Sequence, residues 1–431
     1  MDTIQKEVYM CIDLKSFFAS VECVERGLDP MTTMLAVADE ERGQGTICLA
    51  VTPAMKAAGV RNRCRVFEIP KSIKYIKAEP RMQKYIDYSA RIYEIYLDFI
   101  CADDIHVYSI DEVFIYATPY LKLYSMTERE LAGAIMKSIY QKTGIRASCG
   151  IGSNMYLCKV ALDIEAKHAL DFIGELDEES YKKKLWDHRP LTDFWRIGLR
   201  TAQKLAKYGI YTMRDITKID PELLYGWFGI DAELLIDHAW GIEPTRMEDI
   251  KGYKTKSRSV TSGQVLMRDY SFREAEIIIT EMADNLCLDL VRASLVCTSV
   301  AISIGYADGG YDNSSSRLPY ATSSDSVIVR TILSLYNKIT DKKRPVRRLN
   351  VSFDNVCIED GVQCSFFDDT KAMENNKKIQ GAMIRIKEKY GLNSILKGIN
   401  FDPASTARER NEQIGGHKSG RKSTPVNADI E

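Results

Sequence analysis

The eleven cysteines contain no Cys-x-x-Cys pair, so the usual zinc spacing is missing. Cys11, Cys149, Cys158 and Cys297 lie in apolar runs and read as small buried hydrophobes of a reduced compartment. No apolar run approaches the ~18 residues of a membrane span, and residues 1–7 lack a signal-peptide pattern. A cytoplasmic protein with no membrane partner is therefore expected. A global basic signal is also missing, because the net charge is −1. Any nucleic-acid surface must come from local segregation of charge.

What is present begins with 431 residues, 45% hydrophobic and 28% charged. That is ordinary globular composition and too much chain for one core. The run Val-Tyr-Ser-Ile-Asp-Glu-Val-Phe at 107–114 places Asp111 and Glu112 side by side in a β-branched, aromatic stretch that reads as a strand or tight hairpin. Two carboxylates ~4 Å apart repel by roughly 4 kcal/mol at an effective dielectric of 20. A bound cation is the usual remedy. Upstream, the apolar run at 7–13 ends in Asp13. Three acids on two neighbouring strands make a credible two-metal cage for phosphoryl or nucleotidyl transfer. A metal held by Asp13 and the Leu14 carbonyl would sit beside a helix start, where backbone N–H groups favour phosphate. Ser16 is the expected N-cap of that helix. Phe17 and Phe18 are adjacent, so one ring can enter the core while the other faces the site.

Residues 35–77 form a compact unit. It holds two short strands and a helix with Thr52 as N-cap, Pro53 at its first position and Gly59 as its stop. Lys56 on that helix could hold a phosphate. Residues 82–100 read as a long amphipathic aromatic helix, and Thr127 with Glu130 opens another to about residue 143. Residues 145–152 read as a strand, followed by a helix carrying Lys159, Asp163 and Lys167. The order strand–helix–strand–strand–helix–strand predicts an antiparallel sheet backed by helices.

Residues 171–248 change character. Around Gly198, Arg200, Thr201 and Gly209 the pattern is a pair of short helices joined by a glycine-containing hairpin. Such a hairpin can grip a DNA phosphate through backbone N–H groups without reading sequence. A purely structural hairpin stays open as the alternative. A basic tether follows, including Arg258. Residues 257–356 give a second β-α-β-β-α-β unit, with helices at 272–293 and 325–339 and strands at 296–306, near 317–322 and at 348–356. The run containing Lys343, Arg344, Arg347 and Arg348 reads as a phosphate contact. Gln363, Phe366 and Phe367 form a short segment able to dock in an apolar pocket. Residues 403–431 are poor in apolar side chains and read as a disordered tail.

The strings Ile12-Asp13-Leu14-Lys15-Ser16-Phe17-Phe18-Ala19-Ser20-Val21-Glu22 and Ser109-Ile110-Asp111-Glu112 resemble the catalytic motifs of Y-family translesion DNA polymerases, the UmuC/DinB type of the ImpB/MucB/SamB group. The resemblance continues through 50–60, 159–167, the Ile197-Gly198 hairpin and Arg258-Ser259-Val260, covering about residues 7–370. It implies an α+β multidomain, right-hand polymerase. The parts would be a ferredoxin-like antiparallel palm (1–34 and 78–167), fingers (35–77), a helical thumb with helix-hairpin-helix (168–248), a linker (249–257) and a β-α-β-β-α-β little finger (258–356). A clamp-binding peptide and disordered tail would follow (357–431).

By the same resemblance, Asp13, Asp111, Glu112 and the Leu14 carbonyl hold two Mg²⁺ ions, with Mn²⁺ as a substitute. Phe18 is the steric gate against a ribose 2′-hydroxyl. Phe17, Thr52, Lys56 and Lys167 face the triphosphate. Gln363, Phe366 and Phe367 bind a sliding clamp. The implied activity is error-prone DNA-directed DNA synthesis past lesions, in DNA repair and the SOS response. Primer-template DNA, deoxynucleoside triphosphates, the clamp and a recombinase filament are the implied partners. Two departures stand out. Lys15 occupies a position where many relatives carry a second acid. Pro53 stands where many carry a triphosphate-binding Tyr, a contact either lost or supplied by Thr52. Two other classes remain open from the sequence: a catalytically weak polymerase-like DNA-binding accessory protein, and a nucleotidyl cyclase-like enzyme on a similar acid-bearing sheet.

Overall fold

The strand Tyr9–Leu14 (β1) is apolar along almost its whole length because both its faces are covered. It lies at the centre of a five-stranded sheet in the computed structural model, which describes residues 7–167, 169–255, 258–360 and 370–420. The chain divides into two compact units, 1–253 and 254–431.

In the first unit, β1 runs into helix α1 (Phe17–Val24). A small satellite follows: β2 (Leu35–Val37), β3 (Ala50–Val51), α2 (Pro53–Ala57) and β4 (Ile76–Ala78), with strand order β3-β2-β4. Thr52 caps α2 as expected, accepting from Met55 N. The aromatic helix α3 (Met82–Leu97) leads to the hairpin β5 (Ile105–Val107) and β6 (Glu112–Tyr116). Helices α4 (Thr118–Tyr124) and α5 (Glu128–Thr143) come next, the second opened by the expected Thr127–Glu130 box. The sheet is completed by β7 (Ala147–Gly152) and, after α6 (Met155–Val160), by β8 (Ile173–Leu176), giving the order β5-β6-β1-β7-β8. Strand β8 therefore corrects the expected boundary at 168: it pairs in parallel with β7 and belongs to the acid-bearing sheet.

Alternation along β1 divides the core. Met10, Ile12 and Leu14 pack with Tyr85, Ile92, Ile135 and Ile139 of α3 and α5. Tyr9 and Cys11 pack on the other face with Phe114, Met155, Cys158 and Leu162. The second layer lies unusually close to the sheet. A Cβ at Gly150 would fall 2.0 Å from the Cys158 carbonyl oxygen, and one at Gly152 would fall 2.3 Å from Cys158 N. Only glycine lets α6 press its backbone onto β7.

Helices α7 (Glu178–Leu185), α8 (Leu199–Ala206), α9 (Met213–Ile216), α10 (Pro221–Phe228) and α11 (Asp231–Trp240) pack around an apolar cluster shared with α6, and α12 (Met247–Gly252) places Met247 in the cluster of Tyr9 and Phe114. Helix α12 is a second correction. Residues 249–252 were expected in the linker, yet buried Met247 and the hydrogen bond from Arg246 N to Asp249 Oδ2 (2.8 Å) hold them in a helical turn.

The second unit is the expected β-α-β-β-α-β fold. Its elements are β9 (Val260–Tyr270), α13 (Phe272–Arg292), β10 (Leu295–Tyr306), β11 (Tyr311–Thr322), α14 (Asp325–Ile339) and β12 (Val346–Asp354), with all-antiparallel order β11-β10-β12-β9. Strand β11 begins six residues before the 317 expected. Its first half, Tyr-Asp-Asn-Ser-Ser-Ser, is polar because it is an edge strand with one face open.

The expectation of disorder fails over 403–420. After β13 (Cys357–Ile358), the chain forms α15 (Thr370–Tyr390), α16 (Ala407–Arg410), β14 (Gln413–Ile414) and β15 (His417–Lys418). Polar anchors replace the missing apolar ones. Buried Glu281 on α13 accepts from Asn400 Nδ2 (3.2 Å), Thr406 N (3.2 Å) and the Ser405 hydroxyl. Lys397 bridges Asp284 and Asp325 at 2.9 and 2.8 Å. Residues 421–431 lie outside the described residues.

Candidate active site

Asp13 and Glu112 are direct cross-strand partners on β1 and β6. Leu14 N donates to the Asp111 carbonyl at 2.9 Å, so all three acids meet at one end of two central strands. The hairpin between β5 and β6 is pinned by Tyr108 N and Ser109 N, both donating to Glu112 O. The Ser109 hydroxyl donates to Asp111 Oδ1 at 2.6 Å. Burial, then the charges of Asp111 and Glu112, push the Asp13 carboxyl up to about 7. The protein has thus gathered negative charge that its own groups do not fully compensate.

Glu112 is 9% exposed and has internal partners. Lys159 Nζ approaches its two oxygens at 3.0 and 3.1 Å, and Cys11 Sγ donates to Oε1 at 3.2 Å. Lys159 also pairs with Asp163 at 3.0 Å. Among the described residues, no three His, Cys, Asp or Glu side chains stand close enough together to form a metal-ligand cluster as they are placed. Lys159 occupies the cationic role at Glu112 instead. It had no assigned role in the sequence reading. The available signal was the pair Gly150 and Gly152, which marks where a helix presses on the sheet, together with the i,i+4 spacing of Lys159 and Asp163.

Cations face the acids. Lys15 and Lys56 both feel the charge of Asp13, and each is repelled by Lys167; burial is the main cause that lowers their pKa values. No carboxylate among the described residues forms an ion pair with Lys15, Lys56 or Lys167. The N–H groups of Phe17, Phe18 and Ala19 at the start of α1 meet no acceptor among the described residues. Ser16 does not cap them. It sits in the left-handed region (φ 48°), and its buried hydroxyl has no partner among the described residues.

Three expected positions are refined. Phe17 is 2% exposed and packs in the core, so only its N–H can face a ligand. Phe18 is half-buried, its ring stacked on Tyr85 at 4.4 Å and 14°. The Tyr85 hydroxyl donates to Glu22 Oε1 at 2.9 Å, and Arg81 grips the buried Glu22 carboxylate through two bonds of 2.9 and 2.8 Å. The role expected for Thr52 at a triphosphate is contradicted. Its side chain is fully buried, its hydroxyl donates to Thr33 O at 2.7 Å, and it accepts from Leu35 N and Met55 N.

The model of the impB/mucB/samB family matches residues 12–163, and that of the family's C-terminal domain matches 257–366. The chain belongs to the impB/mucB/samB family. A Bacillus subtilis relative named for repair of UV damage, UvrX, is 34% identical over 95% of this chain and 97% of its own. A relative named DNA polymerase IV 2 from Halalkalibacterium halodurans is 30% identical over 96% of this chain and all of its own. A solved Y-family DNA polymerase chimera has the same fold at a TM-score of 0.61 and 20% identity, covering 82% of this chain and all of that one. This impB/mucB/samB member therefore has the right-hand polymerase fold.

The expected DNA contacts separate into two groups. Gly198, Arg200 and Thr201 lie at the start of α8, whose cap is a glycine without a side-chain bond, and Gly209 takes φ 76° in the turn before α9. In the second unit Arg344 is held by Asp308 and lies 3.9 Å from the Tyr306 ring centroid. Arg347 pairs with Asp269, and Arg348 donates to the Tyr311 hydroxyl. The basic run is therefore partly neutralised by its own surroundings. Arg258 and Lys343 are exposed. The sequence reading missed the open sheet face beside them, where Thr261, Ser299, Ser303, Asn313, Ser315 and Asn350 fall in register as small polar side chains. Gln363, Phe366 and Phe367 lie outside the described residues. Among the described residues no helix is long and apolar enough to cross a membrane.

Proposed function

We propose that the chain is a DNA-directed DNA polymerase that extends primers past damaged template bases. The observation that carries this is the pairing of two opposed groups: three converging acids faced by lysines that lack carboxylate partners among the described residues. Acids alone would suit a cation and lysines alone an anion. Together they suit a metal-bound triphosphate. A catalytically weak accessory protein would have no use for the charge tension stored at Asp13.

The acid set fits divalent metal, since its oxygen donors are hard and under-compensated. Asp13, Asp111, Glu112 and the Leu14 carbonyl would hold two Mg²⁺, with Mn²⁺ able to replace them. Bound metal would lower the pKa of the primer 3′-hydroxyl and offset charge on the triphosphate. Lys56, Lys167 and the N–H groups opening α1, which meet no acceptor among the described residues, bind and orient that triphosphate. The ring of Phe18, braced by Tyr85, crowds the sugar and excludes a 2′-hydroxyl. The satellite of β2, β3, β4 and α2 acts as the fingers, and its separate apolar cluster has nine buried members among the described residues. A unit so small cannot enclose the nascent pair tightly, so shape discrimination is weak and lesions are tolerated.

In this reading the five-stranded sheet with α1 and α3 to α6 is the palm, the helices from 178 to 252 the thumb, and 258–356 the little finger. The α8–α9 hairpin and the open sheet face of the second unit hold duplex phosphates. Gln363, Phe366 and Phe367 bind a sliding clamp, and a recombinase filament is a further partner in the SOS response. A template with one abasic site tests the proposal. Extension past the site with Mg²⁺, abolished by EDTA, is the expected result; absence of synthesis on undamaged template as well would remove the enzymatic reading.

A further inference from the structure

One side chain beside the acid cluster sits where a third phosphate ligand would be useful. Lys15 follows β1 and lies with its Nζ 4.0 Å from the Phe172 ring centroid. A cation resting on a ring keeps its charge available. Lys15 is the residue after the proposed metal-binding carbonyl and lies two residues before Phe17, where the helix begins whose first N–H groups meet no acceptor among the described residues. Its charge is near enough to Lys56 and Lys167 to be repelled by both, and near enough to Asp13 to be attracted. None of these three ammonium groups has a carboxylate ion-pair partner among the described residues, in a chain where lysines such as Lys142, Lys184 and Lys397 do find acids. Such a cluster is costly unless a polyanion relieves it.

The opposite side of the site explains the need. Pro53 offers no side-chain donor, and the Thr52 hydroxyl is spent within the fingers. We propose that Lys15 is a triphosphate-binding residue of this chain, supplying from the palm a contact that the fingers do not make. This rests on the polymerase reading above and extends it to the nucleotide's affinity. An acid at position 15 would repel the triphosphate, so the lysine changes the sign of that interaction rather than merely its strength.

The test uses the full chain on a primer ended with a dideoxynucleotide, in Ca²⁺, so that the complementary deoxynucleoside triphosphate binds without reacting. Lys15→Met should weaken that binding about tenfold or more, the usual scale of one charge-assisted contact, while primer-template affinity and melting temperature hold. Lys15→Arg should retain most of the affinity. Inorganic tripolyphosphate should compete less well against the Met variant's weakened site by the same factor, which places the contact on phosphate and not on base. Lys56→Met and Lys167→Met serve as references. If both weaken the nucleotide and Lys15→Met leaves it within about twofold, the role of Lys15 is overturned and the site reading stands. If none of the three matters, the triphosphate site itself is wrong. An equal loss of primer-template affinity in Lys15→Met would also overturn the inference.

Discussion

Asp13→Asn should stabilise the metal-free protein at alkaline pH, although it removes a residue central to the proposed chemistry. Holding a carboxyl that ordinarily titrates near 3.8 at about 7 corresponds to about 4 kcal/mol against the charged form, at 1.36 kcal/mol per pH unit. Asp13 is partly open to solvent, so about 2–4 kcal/mol is a fair range after screening. The direction follows from linkage. A folded-state pKa above the unfolded one costs nothing below pH ~4, grows as pH rises, and reaches its full size above pH ~7. In EDTA at pH 8, Asn should therefore raise the melting temperature of the first unit by about 5–10 °C. The gap should shrink to about half by pH 5.5. Mg²⁺ should raise the melting temperature of the unaltered chain and do little for the variant, because bound metal supplies the missing positive charge. A variant that melts lower than the parent in EDTA at pH 8 would refute this reasoning. It would mean that Lys15, Lys56 and Lys159 already neutralise the acids.

Other substitutions probe neighbouring parts of the argument. Lys159→Met should cost about 3–5 kcal/mol at pH 8 by leaving buried Glu112 unpaired, with Mg²⁺ restoring part of the loss; thermal melts with and without metal would show it. Phe18→Ala should admit ribonucleotides, measured as the ratio of ribo- to deoxynucleotide incorporation, and Tyr85→Ala should move the same ratio in the same direction because the Tyr85 ring braces Phe18. Gly150→Ala should prevent stable folding or cost more than about 4 kcal/mol, since its Cβ would meet backbone on α6 that cannot step aside; chemical denaturation measures this. Removing residues 403–420 should destabilise the second unit by exposing Glu281 and unseating Ala404 and Ala407, visible as a lowered melting temperature.

The two paired strands that bring Asp13, Asp111 and Glu112 together were legible because strong periodicity and turn chemistry agreed there. Thr127 with Glu130, Thr52 with Pro53, and the helices of the second unit all fell where their caps and apolar spacing pointed. Ser16 misled because its local preference for capping was overridden by a left-handed backbone turn that links β1 to α1. Thr52 misled in the opposite way: it is a cap, and being one consumes the hydroxyl that a ligand would need. The chain from 370 to 420 was invisible to apolar patterning because its anchors are Lys397, Asn400 and Thr406 reaching acids on α13 and α14. The Lys159–Glu112 pair depends on a close helix–sheet approach that only the glycines of β7 hint at.

Single-turnover primer extension by Asp111→Ala, against the unaltered chain at saturating Mg²⁺ and nucleotide, addresses the acid cluster most directly. Loss of nucleotide addition by a factor of about a thousand or more, with primer-template binding intact, is the predicted result. Extension within about tenfold of the parent would contradict the assignment of these acids to metal-dependent nucleotidyl transfer.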